Sequence, residues 1–198
     1  MVNELGFAAK VRAVHEALDV AGLPHAFGGA IALAYAVLDP RNTSDVDVNV
    51  FVAPELSDDV LAALPPGLEI TDERRALLAR DGQVRLRWGA TPIDIFLSTD
   101  AFHFDAARNA VVVPLGEIDI PVLSAFHLTV FKTLFARPKD FLDIASMVEA
   151  NSFDVAAARA TVATLLGNEA SELNDFDAAV DDGRNPDRDE PRNRFPRS

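Results

Sequence analysis

The feature that most limits how this chain can fold is an alternating run, Asp45-Val-Asp-Val-Asn-Val-Phe-Val52, entered from Pro40-Arg-Asn-Thr-Ser44. Side chains alternate across a strand, so Val46, Val48, Val50 and Val52 share one face and read as core, while Asp45, Asp47 and Asn49 share the other. Upstream, His25-Ala-Phe27 reads as a short strand, Gly28-Gly29 as a tight turn, and residues 29–38 as an Ala-rich helix. Glycines let backbone N–H groups approach a phosphate chain, and the start of a helix favours negative charge. Carboxylates at i and i+2 on one strand face can share a divalent ion; without a cation between them they repel and one pKa rises. The plainer alternative is a solvated aspartate pair at a strand start.

A second alternating region supplies another acid. Gln83–Trp88 and Pro92–Ser98 flank Gly89-Ala-Thr and read as a hairpin. Ile93, Ile95 and Leu97 face one way, Asp94 and Phe96 the other. A lone aspartate inside an apolar strand is costly unless it is ligated or paired. Asp94 is therefore the candidate third carboxylate; an edge-strand aspartate paired with Arg85 or Arg87 is the alternative.

The remaining pattern is mixed. Residues 4–21 have the helical spacing Leu5, Ala8, Val11, Val14, Leu18. A helix is expected over 54–63, a short strand at 68–70, a helix over 72–80, and two short strands around Gly116, at 111–114 and 118–122. A buried helix is expected over 123–136, another from Pro138 with Phe141, Ile144 and Val148 inward, and one over 153–166. From about Asp181 no core pattern remains, so this tail is expected to be disordered or partner-bound. The expected division is 1–120 as a core, 121–180 as a helical part and 181–198 as tail.

Composition narrows the class. There are 198 residues, 49% of them hydrophobic, enough for one domain or one domain with a small appendage. No apolar run approaches the roughly 18–20 residues of a membrane span, and the N-terminus lacks a signal pattern, so a cytoplasmic protein without membrane contact is expected. Without cysteine there is no disulfide, thiolate metal site or thiol nucleophile. A net charge of −13 argues against a general nucleic-acid coat. Arg74, Arg75, Arg80, Arg85 and Arg87 nevertheless cluster, as a local basic groove or as a solvated face. His15, His25, His103 and His127 lack metal-ligand spacing and read as structural.

Gly-Gly, the small-residue helix, Pro-Arg-x-Thr-x-Asp-x-Asp and a later single aspartate resemble the DNA polymerase β-type nucleotidyltransferases, and more narrowly the minimal bacterial nucleotidyltransferases that include AbiEii-type toxins. The likeness extends over about residues 10–150, with Gly28-Gly29 where Gly-Ser is usual and fifteen residues, 30–44, between Gly29 and Asp45. Leu123-Ser124, Lys132 and Arg137-Pro-Lys-Asp-Phe-Leu-Asp143 resemble a second stretch of the same proteins. The resemblance implies an α/β (α+β) fold: a polymerase β-like core whose mixed sheet is flanked by helices, with a helical C-terminal part.

It also implies Mg²⁺- or Mn²⁺-dependent transfer of a nucleotide from an NTP. Asp45, Asp47 and Asp94 would hold metal, with Asp94 near the attacking hydroxyl. Gly28, Gly29, Thr43 and Ser44 would position phosphates. Lys132 would contact the nucleotide, Lys139 would add positive charge near the phosphates, and Asp143 would help place Lys132 or Lys139, or a substrate group. The implied acceptor is the 3′ end of tRNA, and the implied partner a small antitoxin. A protein or aminoglycoside-like acceptor, or a catalytically dead nucleotide-binding module, are the alternatives. Thr43 is a candidate regulatory phosphorylation site, with Ser44 as the competing candidate, because a dianion there would stand beside the carboxylates.

Overall fold

The valine face of the 45–52 run becomes the middle of a six-stranded sheet. The computed structural model describes residues 5–39 and 43–186. Its strands are β1 (His25–Phe27), β2 (Val46–Val50), β3 (Gln83–Trp88), β4 (Thr91–Leu97), β5 (Val111–Leu115) and β6 (Ile118–Val122), ordered β3-β4-β2-β1-β6-β5. β2 runs antiparallel to β1 and parallel to β4, β1 is parallel to β6, and each outer pair is an antiparallel hairpin. Val46, Val48, Val50, Ile93 and Ile95 are wholly buried, each side chain contributing about 1.5–3 kcal/mol. The expected mixed α/β architecture, a mixed sheet flanked by helices, is the one the chain adopts.

The described residues of Met1–Ala32 and Pro40–Leu123 form one compact unit; those of Leu33–Asp39 and Ser124–Ser198 form another. The first contains the sheet and the helices α1 (Phe7–Val20), α3 (Ser57–Ala63), α4 (Asp72–Asp81) and α5 (Ala101–Arg108). α2 (Gly29–Val37) begins in this unit. α1 buries Val11, Val14 and Leu18. From the same helix Lys10, almost fully buried, donates to the Trp88 carbonyl at 2.9 Å and to Thr91 Oγ1 at 3.0 Å, pinning the β3–β4 turn. α4 is capped at its start by the Thr71 hydroxyl, and it ends at Gly82, whose φ of +67° suits a glycine.

The second unit holds α6 (Ala125–Phe135), α7 (Pro138–Glu149), α8 (Val155–Leu166) and α9 (Ser171–Arg184). Ser124 and Asp154 cap α6 and α8 by accepting from backbone N–H groups of the first turn. α7 and α9 approach closely at Gly183, where a Cβ would collide with the Ala145 carbonyl and Val148.

Three differences from the sequence expectation have local causes. Residues 68–70 form no strand: the Glu69 N–H donates to the Arg87 carbonyl, but no ladder follows. α5 appears where no element was expected, its start capped by Asp100 accepting from the Phe102 and His103 N–H groups. α9 was also not expected, and it runs to Arg184, into the segment from Asp181 read as lacking a core pattern. Leu173, Phe176, Ala179, Val180 and Gly183 are its buried stripe, hidden from a sequence reading by the intervening acids. Residues 187–198 of that segment lie outside the described residues. Among the described residues, no helix is long and apolar enough to cross a membrane.

Candidate active site

The open face of the sheet concentrates charge in one row. β2 and β4 pair in parallel with Asp47 opposite Asp94, and the β3–β4 hairpin places Arg85 opposite Asp94 on its other side. Residues directly opposite in a ladder project to the same face, so Arg85, Asp94 and Asp47 stand side by side across three strands. Asp45 precedes Asp47 by two residues, as the alternation expects. The Gly28 N–H donates to the Asp47 carbonyl at 2.9 Å, extending the row to the start of α2.

The glycines are required here by space as well as by conformation. Gly29 has a φ of +51°, and a Cβ built on it would strike the Asp47 carboxylate. At Gly28 a Cβ would come within 3.1 Å of Asn49 Nδ2 and 3.3 Å of Leu123 Cδ1. Backbone therefore lies directly over a carboxylate, a contact that any other residue would block. Asn49, on the same strand face as the acids, is buried beneath Gly28.

Arg85 is the dominant electrostatic partner. Its Nε and Nη2 donate to the two oxygens of Asp94 at 2.8 and 2.6 Å, and Nη2 stands 3.6 Å from Asp45 Oδ2. The bidentate bond and charge of Asp94 raise the guanidinium pKa above its ordinary value; burial opposes them by less, and the charges of Asp45 and Asp47 add the smallest increases. The paired alternative for Asp94 is thus present in the structure. Ser44 Oγ donates to Asp45 Oδ1 at 2.7 Å, and Thr43 Oγ1 closes the turn by bonding both the N–H and the carbonyl of Asp45.

Carboxylates are hard oxygen donors of the kind Mg²⁺ or Mn²⁺ takes, and Asp47 and Asp94 stand on neighbouring strands. As placed, no three His, Cys, Asp or Glu side chains among the described residues converge on one point that could hold a metal. Both Asp94 oxygens instead accept from Arg85.

The residues expected from the second stretch form a separate cluster within the helical unit. Lys132 is buried, its Nζ 2.7 Å from Asp143 and 3.1 Å from Asp140. Asp140 has no exposed surface and also accepts from Arg137 Nε at 2.6 Å and Nη2 at 3.1 Å. Burial pushes the Asp140 carboxyl up, but the bonds and charges of Arg137 and Lys132 outweigh it and hold the group below its ordinary value. Lys139 is exposed on α7 and has no ion pair among the described residues. The place of Asp140 beneath both cations depends on how α6 and α7 pack.

The arginine cluster does not form a bare basic surface. Arg74 pairs with Glu69, Arg75 with Asp58, Arg80 with Asp81 and Arg85 with Asp94. Arg87 is exposed on the same face of β3 as Arg85. A cleft of about 740 Å³ lies at the opposite end of β1, where His15 and His25 bond each other at 2.9 Å, and none of the carboxylates or glycines of the row lines it.

The sequence matches no protein-family model and no curated protein. Among solved structures, the chain is similar to a candidate nucleotidyltransferase from H. pylori, at 14% identity and a TM-score of 0.44 over 88% of this chain and 90% of that one. It is also similar to an antigenic nucleotidyltransferase-like protein from Paracoccidioides brasiliensis, at 17% identity and a TM-score of 0.46 over 90% and 88%. A third similarity is to JHP933 from Helicobacter pylori, at 15% identity and a TM-score of 0.38 over 88% and 87%.

Proposed function

We propose that this protein is a metal-dependent nucleotidyltransferase that moves a nucleotidyl group from an NTP to an acceptor hydroxyl. The observation that carries the reading is Gly28-Gly29 packed over Asp47, with Asp94 in register beside it. Mg²⁺ or Mn²⁺ held there would neutralise the triphosphate oxygens that repel an attacking nucleophile. Asp45, Asp47 and Asp94 are the ligands in this reading. Gly28, buried against Asn49, sets the turn, and the backbone of Gly29 at the start of α2 puts no side chain between a phosphate chain and the carboxylates. Thr43 and Ser44 offer hydroxyls at the same edge. The acceptor oxygen bonds the α-phosphorus as the bond to the bridging oxygen breaks, pyrophosphate leaves, and Asp94 takes the hydroxyl proton.

The acceptor we favour is the 3′ end of tRNA, with a toxin role and an antitoxin partner; its support is the resemblance of the Gly-Gly, Asp-x-Asp and Lys132–Asp143 segments. Phosphorylation of Thr43 would silence such an enzyme by placing a dianion next to Asp45. A small cationic acceptor of aminoglycoside type is the second reading. It is favoured by the local pairing of Arg74, Arg75 and Arg80 and by the net charge of −13.

The test is label transfer with Mg²⁺, each α-labelled NTP and total tRNA, using Asp47→Ala as control. Label on tRNA 3′ ends that is lost in the control is the expected result. Label on an aminoglycoside instead selects the second reading, and transfer retained by Asp47→Ala overturns the site.

A further inference from the structure

We infer that Arg85 is a tethered counter-cation of the carboxylate row, holding Asp94 and Asp45 until a divalent ion displaces it. The inference rests on the proposed metal role of these carboxylates and concerns a residue outside that ligand set. Three acids stand on adjacent strands, and Arg85 is the cation that meets two of them. Carboxylates this close repel unless a positive charge sits among them, so the metal-free fold needs one, and the hairpin register delivers it. Asp94 spends both oxygens on the guanidinium, at 2.8 and 2.6 Å, in the fork geometry that matches arginine to carboxylate. A metal ion at Asp94 would compete with Arg85 for the charge and lone pairs of those oxygens.

The surroundings permit that exchange. Arg85 lies on edge strand β3 with 55% of its side chain exposed, whereas Asp94 keeps only 13%. The arginine can swing into water without disturbing the core, but the aspartate cannot follow. Among the described residues no other cation pairs with Asp94, so the site has two states: closed on Arg85, or open to an external ion. A purely structural pair predicts the opposite behaviour on mutation. If Arg85 only positions Asp94, its loss weakens metal binding; if it competes, its loss strengthens binding.

The experiment is a Mn²⁺ titration of the full chain, reading free Mn²⁺ by electron paramagnetic resonance. It compares the wild type, Arg85→Gln, Arg85→Lys and each of these with Asp94→Asn. Arg85→Gln is expected to bind Mn²⁺ at least about tenfold more tightly than the wild type. Arg85→Lys, which keeps charge but loses the fork, is expected to fall between them. With Asp94→Asn present, the gain from Arg85→Gln is expected to shrink. Thermal melts provide a second readout: Mn²⁺ should raise the Tm of Arg85→Gln by more than that of the wild type. Equal or weaker Mn²⁺ binding by Arg85→Gln, with wild-type binding intact, overturns the role of Arg85 and leaves the metal site standing. Absence of Mn²⁺ binding in every variant overturns the metal site itself, and the inference with it.

Discussion

Two charged clusters, one in each unit, are built from the same kinds of side chain to opposite effect. On the sheet, Asp94 and Asp45 meet one guanidinium, Arg85, which is half exposed. In the helical unit, Asp140 and Asp143 meet Lys132 and Arg137, two acids against two cations, with Asp140 fully buried. The second cluster is balanced, and buried charges are tolerable only when paired and hydrogen-bonded. In the first, the cation is half exposed and can reach water. A half-exposed pair contributes little to stability, whereas the buried, matched cluster acts as a staple.

Four changes would break or sharpen this contrast. The largest effect is expected for Asp140→Ala, which strips Lys132 and Arg137 of a shared buried partner. A loss of about 3–5 kcal/mol is anticipated, measured by urea denaturation, and a loss below 1 kcal/mol would mean that the helical cluster is not a staple. Gly29→Ala should cost about 1–2 kcal/mol through its left-handed backbone and should abolish nucleotidyl transfer, because its Cβ would displace the Asp47 carboxylate; melts and label transfer report the two effects separately.

Acid titration comes next. The folded Asp140 carboxyl lies below its unfolded value of about 3.9. Its contribution is therefore complete above about pH 4 and disappears as pH falls through the folded value. The slope is at most about 1.4 kcal/mol per pH unit. Asp140→Asn should flatten stability measured from pH 4 downward, and an unchanged slope would assign acid sensitivity elsewhere. The smallest effect is that of Arg85→Gln on metal-free stability, within about 1 kcal/mol, since the guanidinium is half exposed. A loss as large as that of Asp140→Ala would erase the distinction between the clusters.

Much of the sheet was legible in the chain because strand alternation is local. Val46, Val48 and Val50 inward, Asp45 and Asp47 outward, and the β3–β4 hairpin with Asp94 facing away from Ile93 and Ile95 all follow from a period of two. The Arg85–Asp94 pair was within reach for the same reason, since a short turn at Gly89 sets the hairpin register. α5 was missed although Asp100 caps it, because the helix is short and buries only Phe102 and Ala106. α9 was missed because acids interrupt its stripe and Gly183 carries no side chain to signal burial.

By itself, then, the sequence determined which residues share a strand face, where glycine must stand, and the charge each segment brings. Tertiary structure decided which segments meet. Parallel pairing of β2 with β4 sets Asp47 beside Asp94 across more than forty residues of intervening chain, and the packing of α6 on α7 puts Asp140 beneath Lys132. Neither follows from local pattern, because strand order and helix packing are chosen by burial of the whole apolar surface, a property that no single segment possesses.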